Sequence, residues 1–119
     1  MRKSILKDKS FKFAVRVVFL YKYLCEEKKE YIMSKQTLRC GTSVGAMVRE
    51  AEHSESKADF VHKLAIAQKE INETIYWLEL LNLTEYISNK EFDSINADAI
   101  ELIKIITASI KTAKLTPNR

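Results

Sequence analysis

The chain has 119 residues, 46% of them apolar and 30% charged, with a formal net charge of +4. That is one domain's length with enough apolar content for a packed core, which excludes a disordered chain. Two Gly and one Pro leave too few breakers for an all-β fold, and two cysteines make no disulfide framework.

A first helix is predicted over about residues 10–30, with Ser10 as its N-cap. Phe13, Val17, Leu20 and Leu24 recur at helical spacing, as do Ala14, Val18, Tyr21 and Cys25. This apolar arc is wider than one neighbouring helix covers. Arg16 and Lys22 interrupt the apolar stretch Phe13 to Leu24, and no small-residue cleavage site follows. The stretch is therefore not read as a signal peptide, and no run reaches the roughly 20 apolar residues of a membrane span.

A second helix is predicted over about 34–53, capped by Ser34. Met33, Thr37, Cys40, Val44, Met47 and Ala51 form a heptad-like seam. Gly41 and Gly45 fall inside it, beside Ser43 and Ala46. Each Gly costs about 1 kcal/mol against Ala in a helix, so the pair implies close approach of another backbone. Cys25 and Cys40 read as buried, reduced thiols of a cytoplasmic protein.

The third helix is predicted over about 57–83, with Ser56 as N-cap and Asp59 in its first turn. Leu64, Ala67, Ile71, Thr74, Leu78 and Leu81 form its seam. A second, half-apolar stripe holds Ile66, Glu70, Glu73, Trp77 and Leu80. Ser88 to Glu91 reads as a capping box for a fourth helix over about 90–114, with Ile95, Ala99, Leu102, Ile106, Ile110 and Ala113 buried. Four such helices on short loops predict an all-α, antiparallel, up-down-up-down four-helix bundle, a single domain over residues 1–119.

Charge is segregated along the chain. Residues 1–49 carry 12 Lys and Arg against 4 Asp and Glu, residues 50–101 carry 4 against 12, and residues 102–119 carry 4 against none. Such a layout attracts polyanions, or it lets basic and acidic helices attract each other. Lys12, Arg16, Phe19 and Tyr23 align on the first helix, interleaving cations with aromatics as phosphate contact plus stacking requires. Arg2, Lys3, Lys7 and Lys9 extend that charge onto an arm expected to be flexible. The candidate nucleic-acid-binding residues are Lys9, Lys12, Arg16, Arg39, Arg49, Lys111 and Lys114. Phe19, Tyr23, Ile66, Trp77 and Leu80 are candidates for a subunit contact, because large apolar and aromatic side chains concentrate there. Trp77 can equally close over the monomer's own core.

Catalytic chemistry finds little support. Glu50 to His53 and Asp59 to His62 place a carboxylate and an imidazole one turn apart, as a di-metal bundle would. Both pairs flank the turn between the second and third helices, far from mid-bundle, so no metal is expected. No phosphate-loop pattern accompanies the glycines, and neither cysteine has the spacing of a Cys–His nucleophile. The reading is a non-enzyme without cofactor.

The stretch Leu38-Arg-Cys-Gly-Thr-Ser-Val-Gly-Ala46 with Arg49-Glu-Ala51 resembles a bacterial family of four-helix bundles. Ser56 to Phe60, Lys63 to Ala67, Lys69-Glu70 and Glu73 to Leu78 continue the likeness. The family is named for intervening sequences in large-subunit ribosomal RNA genes. The resemblance implies a ring-like homopentamer. It also implies kinship to the accessory protein of diversity-generating retroelements, which binds nucleic acid and a reverse transcriptase. Family members usually carry Asn where this chain has Met47, and often Ser where it has Cys40.

Overall fold

The computed structural model describes residues 4–117. Four helices follow in order: α1 (Ile5–Glu26), α2 (Met33–Glu52), α3 (Lys57–Leu83) and α4 (Asn89–Leu115). Each packs against the next, and α1 closes the square against α4 more thinly. The result is an all-α up-down bundle with extents of 52 × 24 × 20 Å. Its length follows from its helices, since 27 residues at 1.5 Å each span about 40 Å. Phe13, Val17, Leu24, Leu64, Ile71, Leu78, Leu102 and Ile106 fill the dry centre.

The third and fourth helices start where their caps demand. Ser56 Oγ accepts the Asp59 amide at 3.0 Å. Ser88 and Glu91 close a reciprocal capping box at 3.1 and 2.9 Å.

The first helix departs from the expectation at both ends. Its N-cap is Ser4, whose Oγ accepts the Lys7 amide at 3.1 Å, and not Ser10. Ser10 is buried within α1, bonded back to the Lys7 carbonyl at 3.2 Å. Lys7 and Lys9 therefore belong to the helix and not to an arm; Arg2 and Lys3 lie outside the described residues. At the other end α1 stops at Glu26, where the expectation ran to Glu30. Lys29 takes a left-handed conformation (φ 55°), which lets the Glu30 amide reach the Leu24 carbonyl at 3.0 Å. Glu85 (φ 70°) plays the same part after α3, where the Tyr86 amide reaches the Leu81 carbonyl at 2.9 Å.

The second helix is capped by a carboxylate in place of the expected serine. Buried Glu30 accepts the amides of Ile32, Met33 and Ser34 at 3.0, 2.9 and 2.7 Å. Ser34 instead donates its hydroxyl to the Glu30 carbonyl at 2.7 Å. One anion thus satisfies three orphan amides at the positive end of the helix. Glu30→Ala removes all three bonds and is expected to cost about 1–3 kcal/mol, read as a lower midpoint in urea unfolding. Glu30→Gln keeps one acceptor oxygen and should lose less.

The two glycines are where α1 meets α2. A Cβ on Gly41 would stand 2.8 Å from both γ-methyls of buried Val17, and one on Gly45 would stand 3.2 Å from the Ser10 carbonyl oxygen. The helices are in near backbone contact, as the paired glycines implied. Gly41→Ala should destabilise despite its better helix propensity. Overpacking a β-branched neighbour costs about 1–3 kcal/mol against about 1 gained. The double variant Gly41→Ala, Val17→Ala should lose less stability than the sum of the two single losses, because the new methyl fills the space that Val17 vacates.

Candidate nucleic-acid interface

The seven candidate cations do not form one surface. Lys9 pairs with Glu101 at 3.2 Å, and Arg16 pairs with Asp98 at 2.8 Å while also donating to Ser94 at 3.1 Å. Both stitch α1 to the acidic N-terminal half of α4 along the thin seam. Arg39 sits on the opposite shoulder, paired with Glu73 and, at 3.5 Å, with Glu70 of α3. Lys111 and Lys114 lie on the last turns of α4, where Lys114 lines a recess with Lys57 and His62 of α3. Only Lys12 and Arg49 face outward from α1 and α2. Lys12 makes no ion pair among the described residues.

What α1 and α2 do share is a long acid-free stretch in each, with acids only towards the helix ends at Asp8, Glu26, Glu50 and Glu52. No Asp or Glu occurs from Lys9 to Cys25 or from Tyr31 to Arg49. The side of α1 away from the core presents Phe11 (55% exposed), Val15 and Phe19 (65%) in one line, with Lys12 and Lys22 exposed beside them. The Arg49 guanidinium of α2 lies 5.6 Å from the Phe11 ring centre, and the Lys22 ammonium lies 5.8 Å from that of Phe19. Each exposed ring therefore has a cation at its face. Between the helices, Ala14, Thr42, Gly45 and Ala46 floor a shallow groove of about 340 Å³. Phe11, Val15 and Lys22 fall outside the sequence-based candidates because they lie off the Lys12–Tyr23 stripe. The two acid-free runs were the signal that could have found them.

The other candidates divide by location. Tyr23 and Phe19 line an apolar groove of about 640 Å³ at the α1–α4 seam, with Leu20, Ile87 and Ile95 and with Arg16 and Lys90 at its rim. Ile66, Trp77 and Leu80 are half-buried on the outer side of α3. Trp77 Nε1 donates to Glu73 at 3.0 Å and its ring meets Tyr76 edge-on, with centroids 4.9 Å apart. Tyr76 and Leu83 on that helix are 55% and 80% exposed.

His53 and His62 are both exposed, and Glu50 is bound to Lys63 at 2.9 Å, which raises the Lys63 pKa. Among the described residues no three His, Cys, Asp or Glu side chains gather as a metal site. No described helix is long and apolar enough to cross a membrane.

The sequence of α1 to α4 matches the family model described as 23S rRNA-intervening sequence protein over residues 2–108. The chain belongs to that family. It is also similar to a crystal structure from Bacteroides thetaiotaomicron, described as a protein with unknown function from the S23 ribosomal protein family. That match has 58% sequence identity and a TM-score of 0.89, and covers 90% of this chain and 96% of the other. No curated protein matches the chain. Met47 packs half-buried against the core.

The two thiols differ sharply in surroundings. Cys40 is wholly buried between α2 and α3, and burial pushes its thiol pKa up, with the Thr74 hydroxyl pulling the other way. Cys25 is half-exposed, 3.7 Å from the Ser34 hydroxyl. Thiol reagents should modify Cys25 in the native protein and Cys40 only on unfolding, as mass spectrometry of the first adduct would read. The raised folded pKa means that the Cys40 contribution to stability is complete below the ordinary thiol pKa. It is lost as pH rises through the folded value. Cys40→Ser should flatten that alkaline decline in the unfolding midpoint.

Proposed function

We propose that this chain is a non-catalytic, self-associating bundle that binds nucleic acid without sequence specificity through the outer face of α1 and α2. The grouping of cations with exposed rings carries the reading. It sets Lys12, Lys22 and Arg49 around exposed Phe11 and Phe19, with the acids of α1 and α2 only at the ends of the helices, at Asp8, Glu26, Glu50 and Glu52. Lysine and arginine on phosphates fix position but carry no base information, so affinity is set by charge.

Self-association fits the outer side of α3, where Tyr76 and Leu83 are exposed beside half-buried Trp77 and Leu80. The ring of five and a role beside a reverse transcriptase or in ribosomal RNA metabolism follow from the family resemblance, and the cytoplasmic setting from the reading of the cysteines as reduced thiols. No cofactor is required. A second reading, a homo-oligomeric scaffold for a protein partner, is favoured by one observation. Lys9, Arg16 and Arg39 are already committed to carboxylates of their own chain.

Anisotropy titration with a labelled oligonucleotide at two salt concentrations separates the readings. Binding should weaken steeply with salt, by about 0.7–0.9 log units per phosphate contact per tenfold change. Replacing Lys12, Lys22 and Arg49 together by Glu should abolish it, while Lys111→Glu with Lys114→Glu should leave most of it. Absence of binding at low salt, with a protein partner recovered from nuclease-treated lysate, would favour the scaffold.

A further inference from the structure

Resting on that reading of the α1–α2 face, we infer that its preferred ligand is single-stranded nucleic acid, stacked by its bases on Phe11 and Phe19. The argument starts from what the face offers. Its most exposed large side chains are two phenyl rings with Val15 between them, all without hydrogen-bonding atoms. A duplex hides its base faces within the stack and presents phosphates and groove edges. Against those, phenyl rings find charged oxygens and give nothing in return. A single strand leaves every base with an open π-face, which an exposed ring covers whatever the sequence.

Charge complementarity points to the same occupant. Each ring has its cation within 6 Å, Arg49 at Phe11 and Lys22 at Phe19, so stacking and phosphate neutralisation come as paired units. Lys12 lies between the two units on the same exposed side. The rings are eight residues apart on one helix, about 12 Å. Three to four stacked nucleotides at about 3.4 Å each cover that span. The shallow groove floored by Gly45 and Ala46 adds room for a backbone beside Phe11. No acid of α1 or α2 lies between the two units.

The test compares one unstructured pyrimidine oligonucleotide with the blunt duplex of the same length, titrated by anisotropy against the full chain at fixed low salt. The single strand should bind more tightly. Phe11→Ala and Phe19→Ala should each weaken single-strand binding roughly tenfold while changing duplex binding little. Both rings are exposed, so the variants should keep the wild-type unfolding midpoint and helical circular dichroism. Equal or tighter duplex binding, or single-strand affinity unchanged in both variants, overturns the inference and leaves the electrostatic reading standing. Failure of the wild type to bind either form overturns the reading itself. Dissociation of an oligomer by Phe11→Ala or Phe19→Ala in analytical ultracentrifugation also overturns the inference, because the rings then serve a subunit contact.

Discussion

The arrangement of this bundle turns on the near-contact between the backbones of α1 and α2. Val17 reaches the space above Gly41, and the Ser10 carbonyl stands where a side chain on Gly45 would begin. Because α1 seats so deeply there, its remaining apolar residues cannot all turn inward. Phe13, Val17 and Leu24 enter the core, while Phe11, Val15 and Phe19 are left on the far side. The same approach brings the acid-free stretches 9–25 and 31–49 of the two helices into one surface. With bulkier residues at positions 41 and 45, the helices would stand farther apart, and Arg49 would not reach Phe11.

A second consequence is the division of α1's charge. Its flank towards α4 carries Lys9 and Arg16, which meet Glu101 and Asp98. Its outer side carries Lys12 and Lys22, which meet no carboxylate of the described residues. Exposed pairs of the first kind contribute about 0.2–1 kcal/mol each, so they orient the thin seam more than they hold it. Of the two uses of segregated charge that the sequence left open, attraction between basic and acidic helices is the one these pairs make, and the outer lysines take no part in it.

Much of this was legible in the sequence, and the reasons for the rest are local. The seams of α3 and α4 were readable because their apolar residues recur every three or four positions and their caps are serines followed by acids. The glycine pair announced close packing because nothing else explains two such residues within a helix. The start of α1 was misjudged because Ser4 and Ser10 offer the same cap chemistry, and only burial under α2 tells them apart. Glu30 was missed as a cap because it acts from outside the helix, through a loop whose left-handed Lys29 has no sequence signature of its own. The candidate cations were scattered because a list of Lys and Arg ignores which side of each helix faces an acidic neighbour.

The exposed aromatics bear on how the face can evolve or be read. An apolar side chain left in water is ordinary, but a line of them beside cations on one side of a helix is less so. If α1 served only to pack, polar residues at positions 11, 15 and 19 would keep the bundle equally stable and more soluble. If it served only phosphate, lysines there would serve better than rings. A mixture of ring and cation is what a ligand with both a flat apolar part and a charged backbone selects. The outer side of α3, with Tyr76, Leu80 and Leu83, is a second apolar surface and lies on a different helix.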